Sequence, residues 1–350
     1  MANTNTAGVI DKIFAQSILA FRENAQTPKN VLTDFRNQVA QKGDTISFTK
    51  SSAYTVGDVS AGSTPATGQD SVMSNVTLEL SNWKQVGFHL TDKEMAEIAD
   101  GVGVLPLRAS YAMKALANFV DTTLLAQYVK VYSQVGTAGT APFASDTSLI
   151  SSSKRILATN LAPTSGRKMF IDEFAQEKVE QLAAFRDVSQ SADESVIREG
   201  VMGRKFNYDW YMNQNMPSHT TGAAGTPLVD GADQTGTTLH VDGLTTKPSV
   251  GDIFTIAGDS TQYVVEAASD LAGTDSDLTV FPAVASAPAD DAALTFAATH
   301  TVNLAFHEGA FALAVRPLGN PQVTSGNQIF TTVDPVTGIP FRLEVSRQNK

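Results

Sequence analysis

The chain is 350 residues long, has no cysteine, is 42% hydrophobic and 17% charged, and carries a formal net charge of −11. This is a globular composition with enough length for two or three cores, and it excludes disulfide scaffolds and thiolate zinc sites. The acidic balance argues against tight binding of DNA phosphates, which needs clustered Lys and Arg. No secretory leader pattern and no run of ~18 apolar residues occurs, so the reading is a soluble protein made and used in a cytoplasm.

Gly8 to Arg22 places Ile10, Ile13, Phe14, Ser17, Ile18 and Phe21 at helical spacing, predicting an amphipathic helix within an otherwise polar N-terminal arm, residues 1–43. From Asp44 the period changes to two. Ile46 and Phe48 alternate with Thr and Ser, and Val76, Leu78 and Leu80 repeat the pattern later. The stretch between, Val56 to Val72, is dense in Gly, Ser, Thr and Pro. Residues 44–90 therefore read as a long two-stranded arm whose return strand passes Trp83, Val86 and Phe88. Thr91, Asp92, Lys93 and Glu94 form a capping-box pattern, predicting a short helix that stops at Gly101.

Next comes the longest helical stretch. Pro106 suits its first turn, and Ala109, Met113, Leu116, Phe119, Val120, Leu124, Tyr128 and Val131 recur at three and four with no Gly or Pro before Gly136. Its expected length is roughly 40 Å. Asp146 to Asn160 and Asp172 to Phe185 predict two further helices, each led by an Asp able to cap it, with the strand Arg167 to Ile171 between them. Ala192 to Gly203 reads as a polar turn region, and Arg204 to Met212 as a strand. Beyond residue 298, Val302 to Phe306 and Phe311 to Val315 predict strands around a tight turn. Ile329 to Thr332 and Phe341 to Val345 predict two more, flanking the turn Asp334 to Gly338.

Charge is distributed unevenly. Between Gly222 and Ala298 there are eleven acidic residues and one basic residue, Lys247, so nearly all the net charge sits in that block. The block also reads as short apolar runs, Thr237 to Val241, Asp252 to Ile256, Gln262 to Glu266, Leu278 to Phe281 and Leu294 to Phe296, separated by Gly, Asp and Pro. That texture predicts a small all-β module inserted into a host fold and seeded by Phe254, Tyr263, Phe281 and Phe296.

The chemistry-bearing residues form no recognised motif. The five histidines, His89, His219, His240, His300 and His307, share no metal-ligand spacing, which favours ordinary surface or core roles. Gly101-Val102-Gly103 lacks the third glycine of a dinucleotide turn, and there is no Walker-type or nucleophile-elbow pattern. The Asp-rich turns, Asp230 to Asp233 and Asp270 to Asp277, lack a full calcium loop. Glu177, Glu180, Asp193 and Glu194 are the best imaginable acid/base carboxylates, yet a solvated surface is their default. The reading is no enzyme, no metal and no cofactor. A projecting arm and a loose N-terminus bury too little alone, and gain sense if neighbouring copies supply the missing surface.

This order of elements resembles the major capsid (coat) proteins of tailed bacteriophages with the Hong Kong 97 fold. The resemblance rests on Leu116-Ala117-Asn118-Phe119-Val120-Asp121 in the long helix, on Gly203-Arg204-Lys205-Phe206 leading to Asn215-Met216-Pro217, and on Asn303 to Leu313 ending in Arg316-Pro317-Leu318. It implies an α+β fold with an N-terminal arm (1–43), an extended loop (44–90), a spine helix and peripheral domain (91–203), an axial domain (204–221 and 299–350) and an inserted β domain (222–298). It implies subunit contacts through Ile46, Phe48, Tyr54, Val72, Val76 and Leu78 of the loop, and a spine core of Met113, Leu116, Phe119 and Leu124.

The function implied is self-assembly, as hexameric and pentameric capsomers, into an icosahedral shell around packaged double-stranded DNA. Scaffolding and portal proteins would be partners, and assembly would occur in the bacterial host cytoplasm without a membrane. One departure is that relatives close the axial sheet with a further strand after Phe341 to Val345, where this chain stops at Lys350. The alternatives are a nanocompartment shell of the same fold, and an adhesive or carbohydrate-binding surface protein suggested by the acidic β module.

Overall fold

The computed structural model describes residues 5–33, 45–51, 54, 56, 58, 73–89, 104–187, 202–316 and 328–345. The capping box at Thr91 to Glu94 with its helix, the loop tip including Val72, the carboxylates Asp193 and Glu194, and Pro317-Leu318 lie outside them. The chain divides into two compact units, one of residues 1–24, 33–117 and 312–350 and one of residues 25–32 and 118–311.

The first unit holds helix α1 (Asn5–Asn24), the ribbon β1 (Thr45–Ser51) with β2 (Met73–Glu79), the first part of helix α2 (Val104–Leu125), and the hairpin β15 (Gln328–Val333) with β16 (Pro340–Val345). The predicted amphipathic face of α1 does not project as a free arm. Phe14, Ile18 and Phe21 are buried, Phe21 packs edge-on against Phe341 at 4.7 Å, and Arg22 reaches Asp334 at 2.6 Å. Asp334 organises the hairpin turn by accepting from the Thr337 hydroxyl at 2.6 Å and the Thr337 N–H at 2.9 Å. Burial works against its charge, but Thr337 and Arg22 outweigh it and hold the carboxyl below its ordinary range.

Helix α2 is shorter than the periodicity predicts. It spans 22 residues, about 33 Å at 1.5 Å per residue, and then tightens into a 3₁₀ turn over Ala126–Lys130. No Gly or Pro marks the end. Thr122 and Thr123 instead bond their hydroxyls back to the carbonyls of Asn118 and Phe119, a pattern that bends helices, and β-branched Val129 and Val131 follow.

In the second unit a four-stranded sheet runs in the order β14 (Leu304–His307), β3 (Arg167–Ile171), β5 (Tyr208–Met212), β4 (Arg204–Lys205). β3 and β5 are parallel, so their connection must cross over, and α4 (Glu173–Gln181) with α5 (Ala183–Arg186) lies within it. The sheet cuts across the boundaries drawn from sequence, since β3 was grouped with the spine and β4, β5 and β14 with the axial part. Pairing partners for so short a strand come from distant segments, which local periodicity does not register. One face packs Met169, Ile171, Tyr208 and Trp210 against Ile150 of α3 (Ser148–Thr159) and Ala175, Val179 and Phe185 of α4 and α5. On the other, Phe170 stacks on Phe306 at 5.5 Å. Asp172 caps α4 as expected, accepting from Ala175 N–H at 3.0 Å, whereas Asp146 bonds the Ser148 N–H while Thr147 takes the cap position of α3. Phe311 to Val315 is not a strand; a 3₁₀ turn, Glu308–Ala310, follows β14 and carries the chain off the sheet.

The acidic block folds as one six-stranded antiparallel sheet, in the order β12 (Leu294–Phe296), β9 (Ile253–Ile256), β10 (Gln262–Ala268), β11 (Ser276–Val284), β8 (Gly236–Thr246), β7 (Ala224–Val229). Its two edges meet. Leu228 bridges Ala293, and the Val229 N–H donates to the Ala292 carbonyl at 3.0 Å, so the sheet curls into a nearly closed barrel. Strand β7 has no counterpart among the apolar runs, because Ala224 to Pro227 contains Gly225, Thr226 and Pro227. Gly225 (φ +112°) sits at a bulge where a Cβ would collide with the Gly243 carbonyl across the ladder. The core contains Val229, Leu239, Val241, Leu244, Phe254, Ile256, Tyr263, Val265, Leu278, Val280, Val284 and Leu294. Of the four aromatic seeds, Phe254 and Tyr263 are buried and Phe296 packs partly against them. Phe281 is 46% exposed and pairs outside the barrel with Tyr132 at 5.4 Å, because it points to the outer face of β11.

Candidate functional site

The candidate contact surface is built on the β1–β2 ribbon. Its ladder sets Ile46 opposite Leu78 and Phe48 opposite Val76, and directly opposed residues share a face. That face changes character along its length. Ile46 is 3% exposed and Leu78 half-buried, whereas Val76 is 53% exposed. Farther out, Tyr54 and Val56 are 66% and 103% exposed. The Phe48 side chain and Val72 lie outside the described residues. The return strand stops at Glu79, short of the predicted Phe88, and every residue of 81–89 is exposed, including Trp83, Val86 and Phe88. With Met73, also exposed on the return strand, seven large apolar side chains among the described residues in or beside one ribbon face solvent, a patch of the kind that marks interaction sites.

The spine residues separate into two pairs. Met113 and Leu124 are buried, at 7% each, while Leu116 and Phe119 are half-buried. A residue not singled out from the sequence sits between them. Asp121, 1% exposed, accepts from the N–H groups of Gln26 and Thr27 at 3.3 and 3.2 Å and from Asn213 Nδ2 at 3.2 Å. Burial pushes its carboxyl above the ordinary range, against the lowering effect of those three donors. It ties α2 to the turn after α1 and to the end of β5. An Asp on an apolar helix face was the available signal.

A second polar cluster joins the barrel to its host. His219, on β6 (Ser218–His219), pairs with His300 on β13 (His300–Thr301), and these short strands are the two chain passages into and out of the barrel. His219 Nε2 meets Asp252 Oδ1 at 2.8 Å, and its Nδ1 meets the Tyr128 hydroxyl at 2.9 Å. Asp252 also accepts from the N–H groups of Gly222, Ala223 and Ser249 at 3.1, 3.2 and 2.8 Å. A carboxylate only accepts, so Nε2 bears a proton. Burial, and then the Asp252 charge, raises the Tyr128 phenol above its usual range, which keeps it a neutral hydrogen-bond partner. Gly251 (φ +94°) lets the adjoining turn approach closely, since a Cβ there would lie 2.9 Å from Val129 Cγ1. Each of these polar groups finds a partner within the cluster, which clasps the base of the barrel to the strands that lead into and out of it.

Of the other carboxylates considered from the sequence, those among the described residues are exposed or half-buried. Glu177 is exposed and held below its usual range by Lys178, and Glu180 accepts from Gln176. Asp270 pairs with Lys247, and Asp277 with His240. Among the described residues no group of three His, Cys, Asp or Glu is placed to hold a metal, and no helix is long and apolar enough to cross a membrane.

No protein-family model matches the chain, and no curated protein sequence does. Among solved structures the chain is similar to one from Mycobacterium phage Che8, at 16% identity and TM-score 0.47, covering 83% of this chain and 90% of that one. It is similar to the capsid structure of the Cyanophage P-SCSP1u at 13% identity and TM-score 0.43, covering 82% and 87%. It is also similar to the mature capsid of bacteriophage PhiM1 at 9% identity and TM-score 0.42, covering 83% and 87%.

Proposed function

We propose that this chain is a structural shell protein of the tailed-phage capsid class with a Hong Kong 97-like fold, assembling as capsomers into a closed shell around packaged DNA. The observation that supports this reading most is the ribbon and its flanks: Tyr54, Val56, Met73, Val76, Trp83, Val86 and Phe88 are exposed in one copy, whereas the barrel and the four-stranded sheet each enclose a buried core. In this reading the ribbon lies across an adjacent subunit and buries Val76 and its neighbours there. Many modest contacts then sum by symmetry to a stable shell, and each stays weak enough to correct. Scaffolding and portal proteins act as partners during assembly in the host cytoplasm.

Negative-stain microscopy of the purified full chain tests the reading. Closed shells or rings of capsomers are expected, and a uniform monomer at every concentration and salt would overturn it. Nucleic acid recovered from shells formed in cells separates a genome container from a nanocompartment.

A further inference from the structure

Arginine keeps its charge and carries five N–H donors in a rigid fork, so a covered guanidinium is tolerated only against oxygen acceptors. Arg167 and Arg22 follow this rule. Arg167, 3% exposed, donates from Nε to the Pro163 carbonyl at 2.8 Å and from Nη2 to the Ala162 carbonyl at 2.9 Å. Arg22 donates from Nε and Nη2 to Asp334 Oδ1 at 3.1 and 2.6 Å. Arg316 does not follow it. It lies beyond the 3₁₀ turn Glu308–Ala310, at the end of the described stretch 202–316, and its Nε, Nη1 and Nη2 are all buried without a hydrogen-bond acceptor.

The residue as a whole is only half-buried, so its remaining exposure belongs to its other atoms. A surface arginine does the reverse, laying its aliphatic stem on the protein and holding its head in water. Here the charged head is turned inward, no more than one side-chain length beneath the surface. Asp334, the buried acid of the same unit among the described residues, is already committed to Arg22 and Thr337. Glu344, also of that unit, pairs with Arg342 at 3.1 Å. An isolated buried cation is strongly unfavourable, and arginine cannot escape by losing its proton. Its fork fits the two-oxygen edge of a carboxylate or a phosphate through two parallel hydrogen bonds. We infer that Arg316 is an oxyanion-binding site whose ligand comes from outside the subunit, as a small free anion or as a carboxylate of a second copy. The site does not depend on the shell reading, because a free anion reaches a dissociated subunit as well as an assembled one. It makes subunit stability depend on the arrival of that anion.

Melting of the full chain tests the inference, in chloride and in inorganic phosphate at equal ionic strength. Arg316→Met keeps the side-chain length and removes the charge. In chloride the dissociated variant should melt about 2 °C or more above the dissociated wild type, because an unpaired buried charge is relieved. In phosphate the wild type should gain about 3 °C more than the variant gains, a difference that subtracts the general stabilisation by excluded anions. That extra gain identifies a free oxyanion as the source. If it is missing, association in chloride should raise the wild type by the same margin over associated Arg316→Met, which identifies a carboxylate of a second copy. Arg316→Lys keeps a charge without the fork; it should retain about half of the extra gain or less, and it serves where the methionine variant does not fold. A variant that melts below wild type by one margin in every condition would show that the subunit supplies its own acceptor, and would overturn the inference. So would a wild type and variant that respond alike both to phosphate and to association. A wild type that gains from phosphate but never associates would overturn the shell reading alone.

Discussion

The barrel and the ribbon are both β structure, and they treat their apolar residues in opposite ways. The barrel encloses twelve side chains behind a sheet whose edges meet, so its hydrophobic and backbone requirements are met within one segment. The ribbon has two strands, each with one pairing neighbour where a central strand has two, and exposes Met73 and Val76, with Tyr54 and Val56 exposed beyond β1. An isolated two-stranded ribbon is marginal in water. Apolar groups left outside a subunit that covers others so well point to a surface completed by another molecule, whereas the barrel needs none.

Truncation inside the barrel should have the largest effect on stability. Phe254 is 1% exposed between Tyr263 and Phe296, and Phe254→Ala should cost about 3 to 5 kcal/mol in denaturant unfolding. A wild-type midpoint would show that the barrel core is not cooperative. Residues 222–298 expressed alone should give dispersed amide resonances, and a disordered spectrum would break the contrast from the same side.

Asp121→Ala should come next, at about 3 kcal/mol, because it strands two backbone N–H groups and the Asn213 amide in a buried place. The raised carboxyl gives this site a pH signature. The folded chain holds the Asp121 proton more tightly than the unfolded chain does, so its contribution declines as pH rises from 3.8 toward the folded value and is level above it.

Asp334 has the opposite sign. Its lowered carboxyl contributes stability above the ordinary value of 3.8, and that contribution disappears as pH falls through the folded value below it. Asp334→Asn should therefore flatten the acid limb of a stability–pH curve, with a loss of about 2 kcal/mol at neutral pH. An unchanged acid limb would remove the Arg22 tie from the account of the first unit.

Phe119→Ala should cost less than a fully buried phenylalanine, about 1 to 2 kcal/mol, because the ring is half-exposed in a single copy. A loss of 3 kcal/mol or more in dilute subunits would show that the ring is already covered before assembly. The smallest subunit effect, within about 0.5 kcal/mol, belongs to Val76→Asp on the ribbon's exposed face. The same change should abolish assembly measured by light scattering, and normal shells would remove the ribbon from the interface.

Much of the fold was legible because it rests on short-range pattern. The period-two runs around Ile46 and Val76, the amphipathic α1, the Asp172 cap and five of the six barrel strands are written in consecutive residues, and the composition shift at 222–298 announced the barrel. Strand β7 was hidden by Gly225 and Pro227, and the end of α2 by the absence of Gly or Pro. The candidate surface was visible as alternation, but exposure was not: Ile46 and Val76 look alike in sequence and differ from 3% to 53% exposed.

By itself, then, the sequence determined where most of the described helices and barrel strands lie, which block is acidic, and that no cysteine chemistry is available, since each depends on composition or on neighbours a few residues apart. Only the tertiary structure decided that β3 joins β5 and β14, that α1 is tied to the hairpin by Arg22 and Asp334, and that His219, Asp252 and Tyr128 close a clasp at the barrel's base. Those pairings join residues tens to hundreds of positions apart, and burial and hydrogen-bond geometry select them only once the chain has folded back on itself.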